Sequence, residues 1–554
     1  MKKIFTLFLN LAGLGIFSLL AQENTENNSG QITGNFQTDA QYYIEDQSIG
    51  ATAVKEYMLV NSWANFIYSN QNFSAGFRYE GYMNTLLGYP NSGGINDGIG
   101  IPFRWAMFSK DDLEITVGNF YEQFGNGLVL RSYEEKMLGI DNALDGFRIK
   151  YQLHKGINLT GLIAKQRYYW NHGPGIIRGF DGTIQINEVF QSLEESSLRL
   201  NIGGSFVSKF QHEDHPLYNL PDNVAAMSGR IMIRYKNFDI NSEYAYKFND
   251  PSLDNSYIFK PGQALLINTS YAKKGLGIVL STKWVDNMAF RSDRNASLTD
   301  LNINQLPEIT KNHIYVLPAF YPYATQPNGE WGAKAEIMYK IPKNTLLGGK
   351  YGTNVSLNYS RAHDIKKTQI NDSTPVFPPA SGTYGYNTKF FSIGDKLYFQ
   401  DINFEISKKW SKKILSNFSY VYLIYNYDVL RGITGHGNVY AHIGIVDMTY
   451  KFENSSALKT EIQHMFTKQD EGSWVLGMIE YSLPGWFFTV FDNWNYGNPE
   501  SKKHYYSIGF GHISGGTRIQ LSYGKQRAGV MCIGGVCRNV PASNGVFVSI
   551  SSTF

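Results

Sequence analysis

The sequence predicts an all-β fold: a transmembrane antiparallel β-barrel of about 24 strands, within roughly 20 to 26, and with no plug domain. Three observations predict it. Apolar and polar residues alternate with period two along most of the chain. Short and long connections take turns between the alternating segments. The last segment, "GVFVSISSTF", alternates to its final residue, Phe554.

Counting back by twos from Phe554 gives Ser552, Ile550, Val548 and Val546 on one face, with Thr553, Ser551, Ser549 and Phe547 on the other. "TNVSLNYS" sets Val355, Leu357 and Tyr359 against Asn354, Ser356, Asn358 and Ser360. "RIQLSY" and "DGFRIKYQ" repeat the pattern. Strands of soluble sandwiches are about 5 or 6 residues long. Segments such as "QITGNFQTDAQYYI" and "ILSNFSYVYLIYNY" are longer, nearer the 9 to 11 or so that a tilted membrane strand needs.

Short links fall at 69–72, 109–112, 153–156, 235–238, 272–275, 482–485 and 514–516. Long ones separate them, chiefly Asn287 to Gly329 and Ala362 to Asp395. A barrel with short periplasmic turns and long outer loops requires this alternation. It holds at every step when "GTIQINEVF" (182–190) is counted as a strand. The first strand is then about 31–44, the last 545–554, and both termini lie on the periplasmic side. Phe554 closes the barrel against the first strand. It also resembles the terminal aromatic signal by which such barrels reach their insertion machinery.

The N-terminus sets the compartment. Lys2 and Lys3, an apolar stretch from Ile4 to Leu20, and Ala21 before Gln22 read as a secretory signal peptide cleaved between Ala21 and Gln22. The expected organisation is a signal peptide over 1–21, a short periplasmic segment over 22–30 and a barrel over 31–554. About nine residues are too few for an N-terminal plug, so the lumen is open, blocked by its long loops, or occupied by another protein. Without Lys2 and Lys3 there are 48 basic and 47 acidic residues, a balance that argues against nucleic acid as a partner. Expected partners are outer-membrane lipid and the insertion machinery.

Candidate chemistry concentrates in "VGNFYEQFGNGLVLRSYEEKMLGIDNALDGFRIKY" (117–151). Gly118, Gly125 and Gly127 mark bulges or close backbone approaches. If Phe147 and Ile149 face lipid, Arg148 and Lys150 face the lumen, because charge at the lipid midplane is costly. Glu122, Arg131 and Asp145 are assigned to the same lumen lining, as a selectivity filter or a structural charge ladder. Over these residues the pattern resembles the Gly-plus-Arg strand and following "DG" strand of alginate-export-type barrels.

Cys532 and Cys537, the only cysteines, stand in the last outer loop of an exported chain, where a disulfide is the economical reading. "HEDHP" (212–216) reads as solvated charge, so no metal is expected. No nucleophile elbow, phosphate loop or HExxH occurs, so neither catalysis nor a cofactor is expected. The tail "GKQRAGVMCIGGVCRNVPASNGVFVSISSTF" resembles an uncharacterised family of Bacteroidota outer-membrane β-barrels, which implies location and architecture. "NDST" resembles the O-glycosylation context of that phylum, at Ser373. Two functions follow: a channel for hydrophilic solutes, or a structural subunit of an outer-membrane assembly that binds other envelope proteins. A lumen with segregated charges and one inward-folded loop favours the first; a blocked lumen favours the second.

Overall fold

A computed structural model describes residues 30–89, 97–533 and 536–554, without the side chains of 531–533 and 536–538. The signal peptide and its Ala21–Gln22 junction lie outside the described residues. Twenty-four strands form one closed antiparallel sheet. Each pairs with its neighbours in sequence, from Gln31–Tyr43 to Ser543–Thr553, and the last pairs with the first: Asn35 stands opposite Thr553 and Tyr43 opposite Gly545. The closure extends to the final residue. Phe554 N–H donates to the Gly34 carbonyl at 2.9 Å, and Gly34 N–H donates to the Phe554 carbonyl at 2.8 Å. The Phe554 ring packs on the outer face 5.9 Å from Phe66. A side chain at position 34 would collide with that ring, which is why glycine stands there.

The expected periodicity of connections is present. Two-residue turns at 71–72, 111–112, 155–156, 236–237, 274–275, 484–485 and 515–516 share one end of the barrel with both strand termini. Gly156, Gly275 and Gly485 take the left-handed backbone those turns require. Long loops occupy the opposite end, apart from the tight hairpin between Ile157–Tyr168 and Asn171–Gln185. The segment 182–190 is not a strand of its own. The strand begins at Asn171, and only its last four residues belong to the expected segment; Ile186–Val189 then turns into a helix. The glycines and Pro174 of "NHGPGIIRGF" masked the start of a strand that extends further toward the loops.

The outward face is apolar: Phe418, Tyr420, Val446, Ile479, Val490 and Ile508 are all exposed. The inward face changes character along each strand. In Ile414–Asn426, Asn417 and Ser419 face inward near the turn end, followed by Val421, Leu423 and Tyr425, which are buried. Two long loops fold into the barrel and cover these apolar positions. One is 121–143, between Leu113–Phe120 and Leu144–His154; the other is 287–329, between Leu276–Asp286 and Glu330–Ile341. Around them lie two apolar cores inside the barrel. One joins Leu128, Val129 and Leu130 to Ile177, Val207, Val285, Phe290 and Ile303. The other joins Leu317, Tyr321 and Tyr323 to Leu423, Tyr425, Ile443, Ile445 and Leu476. The loop-end part of the lumen is filled by the chain's own loops, and no separate domain is present among the described residues.

Candidate functional site

The glycines of the first loop allow it to enter. Gly125 has a φ of 54°, and a Cβ there would lie 2.5 Å from the Glu243 carboxylate on the wall. That carboxylate accepts from the Asn126 backbone N–H at 2.6 Å and from its side-chain amide at 2.8 Å. Gly127 bonds the second loop, accepting from Gln305 N–H at 3.1 Å. The two loops are laced together, Arg131 N–H donating to Ile303 and Asn142 to the Asn302 carbonyl, which also accepts from Gln166 on the wall strand Ile157–Tyr168.

A buried ionic hub holds this assembly to the wall. Arg78, on the strand Phe73–Met83, contacts Glu80 at 2.7 Å, Glu134 at 2.5 Å and Asp141. Arg167, on the neighbouring wall, contacts Glu80 and Asp141, each at 2.6 Å. Glu134 and Asp141 belong to the loop, so it is anchored by charge at two points. Burial pushes the Glu134 carboxyl above the usual range and pulls the Lys136 ammonium down. Beside the hub lies a cavity of about 60 Å³, lined by Trp63, Tyr82, Trp170, Glu134, Arg167 and Asp300 among others. It has room for about four to six waters.

The second loop continues across the barrel as a strap from 311 to 323. Lys311 meets Glu405 at 2.8 Å, His313 meets Asp401 at 2.6 Å, and Tyr315 donates to Asp447 at 2.5 Å. Leu317 N–H donates to Gln463, and Tyr321 donates to Asp470 at 3.0 Å. These ties are single side-chain contacts spread over several strands.

Of the charges expected to line the lumen, Arg148 and Lys150 face inward and are paired. Arg148 contacts Glu122 at 3.0 Å and Glu114 at 2.8 Å, and Lys150 contacts Glu122 at 2.8 Å. They form a ladder of compensated charge. Arg131 is not on the wall: it sits in the inserted loop, its guanidinium 5.0 Å from the Tyr133 ring centroid. Asp145 is on the outer face. It shares the parity of Phe147 and Ile149, and it contacts His172 at 2.8 Å and Arg104 at 3.5 Å. Arg78, Glu80, Arg167 and Asp401 went unrecognised; the signal for them was charge at inward positions of otherwise alternating strands, as in "FRYEGY". Backbone register sets Cys532 opposite Cys537 where the strands Gly529–Ile533 and Val536–Val540 pair, while their side chains lie outside the described residues. His212 pairs with Asp222, and His215 stacks on Tyr218.

No curated protein matches the chain. Solved structures that resemble it include the translocation pore of the P pilus usher PapC, at 7% identity over 94% of this chain and 99% of that one, with a TM-score of 0.41. The siderophore receptor PirA of Pseudomonas aeruginosa matches at 9% identity over 96% and 82%, with a TM-score of 0.38. OccAB3 of Acinetobacter baumannii matches at 10% identity over 95% and 99%, with a TM-score of 0.35. A family model, described as a family of unknown function (DUF6029), matches residues 1–554. The chain therefore belongs to the DUF6029 family.

Proposed function

We propose that the protein is an outer-membrane channel for a hydrophilic solute, held closed by two of its own loops. A closed sheet with an apolar outer face suits a bilayer, where every backbone group must be satisfied internally. The observation that carries the channel reading is the division of the lumen. Its turn-end half is polar and charged, with Asn417, Glu405, Asp447 and Glu461 facing inward, and the inserted loop meets it only through polar groups such as Lys311 and Tyr315, while the apolar cores lie toward the loop end. The first part of the strap, 311–315, is tied by polar side-chain contacts to Glu405, Asp401 and Asp447, and its continuation through Leu317, Tyr321 and Tyr323 is packed in the apolar core, so its release must open both. A channel gated by release of that strap follows from this arrangement.

A scaffold within an outer-membrane assembly is the second reading, favoured by the dry cores around Leu128, Leu130 and Leu317, which are fully buried. One experiment separates them. Val285 pairs with Glu330, so a turn of a few residues in place of 288–328 rejoins the flanking strands. In planar bilayers the intact protein should conduct rarely. The shortened protein should conduct at least an order of magnitude more, because a barrel of this size encloses a wide lumen. A shortened barrel that still migrates in a heat-modifiable way on gels, does not conduct and co-purifies with stoichiometric partners would establish the scaffold.

A further inference from the structure

Near the loop end the outward band of aliphatic and aromatic side chains carries a cluster of charges on three adjacent strands. Phe147, Ile163 and Phe180 point outward and are exposed. By the same parity so do Asp145, Lys165 and Arg178, two residues away on the same three strands. Lys165 stands opposite Asp145 on one side and Ile176 on the other, and Arg178 stands opposite Ile163. Lys165 and Arg178 are therefore diagonal neighbours, about 7–8 Å apart at the backbone and within common reach of their long side chains. A bulge between Lys165 and Arg167 produces the split: Arg167 turns inward to Glu80, while Lys165 stays outside. Arg104 and His172 complete the patch, both directed at Asp145.

The charge does not balance. Three permanent cations and a histidine share one carboxylate. Neither Lys165 nor Arg178 has an anionic partner among the described residues; Arg178 has only the Phe210 ring, at 5.9 Å. Uncompensated cations on a lipid-facing wall are expensive at the bilayer midplane and nearly free at the interface, where long side chains reach the headgroups.

From this we infer that the face formed by Arg104, Lys165, His172 and Arg178 binds the phosphate groups of an outer-leaflet lipid headgroup. The inference rests on the outer-membrane reading proposed above. A lipid fits better than an acidic protein because the cations are surrounded by exposed Val117, Phe147, Ile163 and Phe180, which offer acyl chains a surface beneath the phosphates. Guanidinium and ammonium groups together suit a phosphate ester, which accepts charge-assisted hydrogen bonds from both.

Native mass spectrometry of the intact barrel in detergent tests it, with diphosphorylated lipid A and its dephosphorylated counterpart as probes. The diphosphorylated lipid should bind, and the double variant Lys165→Gln, Arg178→Gln should bind about tenfold more weakly. A turn-end variant, Lys273→Gln, should bind like the intact protein. Heat-modifiable migration of each variant reports the barrel separately, so a failed membrane reading is not confused with a failed lipid site. Equal binding of the dephosphorylated lipid, or undiminished binding by the double variant, would overturn the proposal. So would full competition by inorganic phosphate, which would make this a site for free anions. Cross-linking of this face to a stoichiometric acidic envelope protein in place of lipid would overturn it as well.

Discussion

The strand Ile414–Asn426 belongs to two different proteins at its two ends. Near the turn end its inward residue Asn417 donates to Asp447 at 2.8 Å, in a polar lumen. Three positions further along the same face, Leu423 is fully buried against the strap. The outward face remains apolar throughout. The turn-end half thus has one polar and one apolar side, and the loop-end half is apolar on both sides, like a strand in the middle of a soluble core. The difference teaches that the inserted loops are not obstructions placed in a channel. They complete a hydrophobic core that the wall was already built to share.

The largest effect should come from the hub. Arg78 is 4% exposed, and its guanidinium serves three carboxylates, two of them on the inserted loop. Arg78→Gln leaves Glu134 and Asp141 short of a counter-charge, and breaking a buried ionic group in this way costs about 3–5 kcal/mol. Hydrogen exchange over 121–143 should accelerate accordingly while the barrel strands stay protected. Uniform loss of protection would mean that the hub holds the wall and the loop alike. That result would erase the distinction between them.

The comparison within the strand sharpens at smaller scale. Leu423→Ala should destabilise by about 2–5 kcal/mol, because it opens a cavity in the core around Leu317 and Tyr321. Asn417→Ala removes one hydrogen bond to Asp447, which keeps its bond from Tyr315, and should cost about 1 kcal/mol. Thermal unfolding followed by heat-modifiable migration compares the two. Similar costs would show that the loop-end half is not a packed core.

Much of this architecture was legible. Alternation and link lengths located the strands because a closed sheet enforces both, and each short link contains an observed turn. The misplacement of Asp145 came from grouping charges by proximity in sequence; the parity of Phe147 and Ile149 already pointed it outward. Arg131 shares a sequence neighbourhood with Arg148 and Lys150, and so suggests the same wall, although Gly125 and Gly127 on its N-terminal side carry the chain inward. The filled lumen left a signal that was read only as strand length. In "SYVYLIYNY" and "VYAHIGIV" both faces are apolar, which a water-lined wall does not require. Which loop meets which wall was not legible at all. Arg78 with Asp141, or Lys311 with Glu405, are pairings between distant segments, set by the closure of the sheet rather than by local spacing.

The last expected effect, present only above about pH 8, concerns the loop that covers the end of the second insert. Lys367 lies in the loop 364–396, outside the strands of the wall. Its ammonium donates to the Asn328 carbonyl at 2.8 Å and lies 4.1 Å from the Tyr386 ring centroid. Burial pulls it down to about 8; Lys260 acts in the same direction, and Asp286 and Asp364 oppose it. A lysine whose docked pKa is below its free value holds its proton more tightly when the loop is released. Docking therefore gains nothing below about pH 8, strengthens as pH rises from there, and levels off near the free lysine value of about 10.4. Limited proteolysis of the 364–396 loop should slow by up to about 60-fold between pH 7 and pH 10, after correction for protease activity. Lys367→Met removes the group that must lose its proton. It should make the loop resistant already at pH 7 and flatten the profile. A profile that keeps its slope in Lys367→Met would assign the titration to another group, and the contrast between a firmly held hub and a conditionally held cover would then rest on the hub alone.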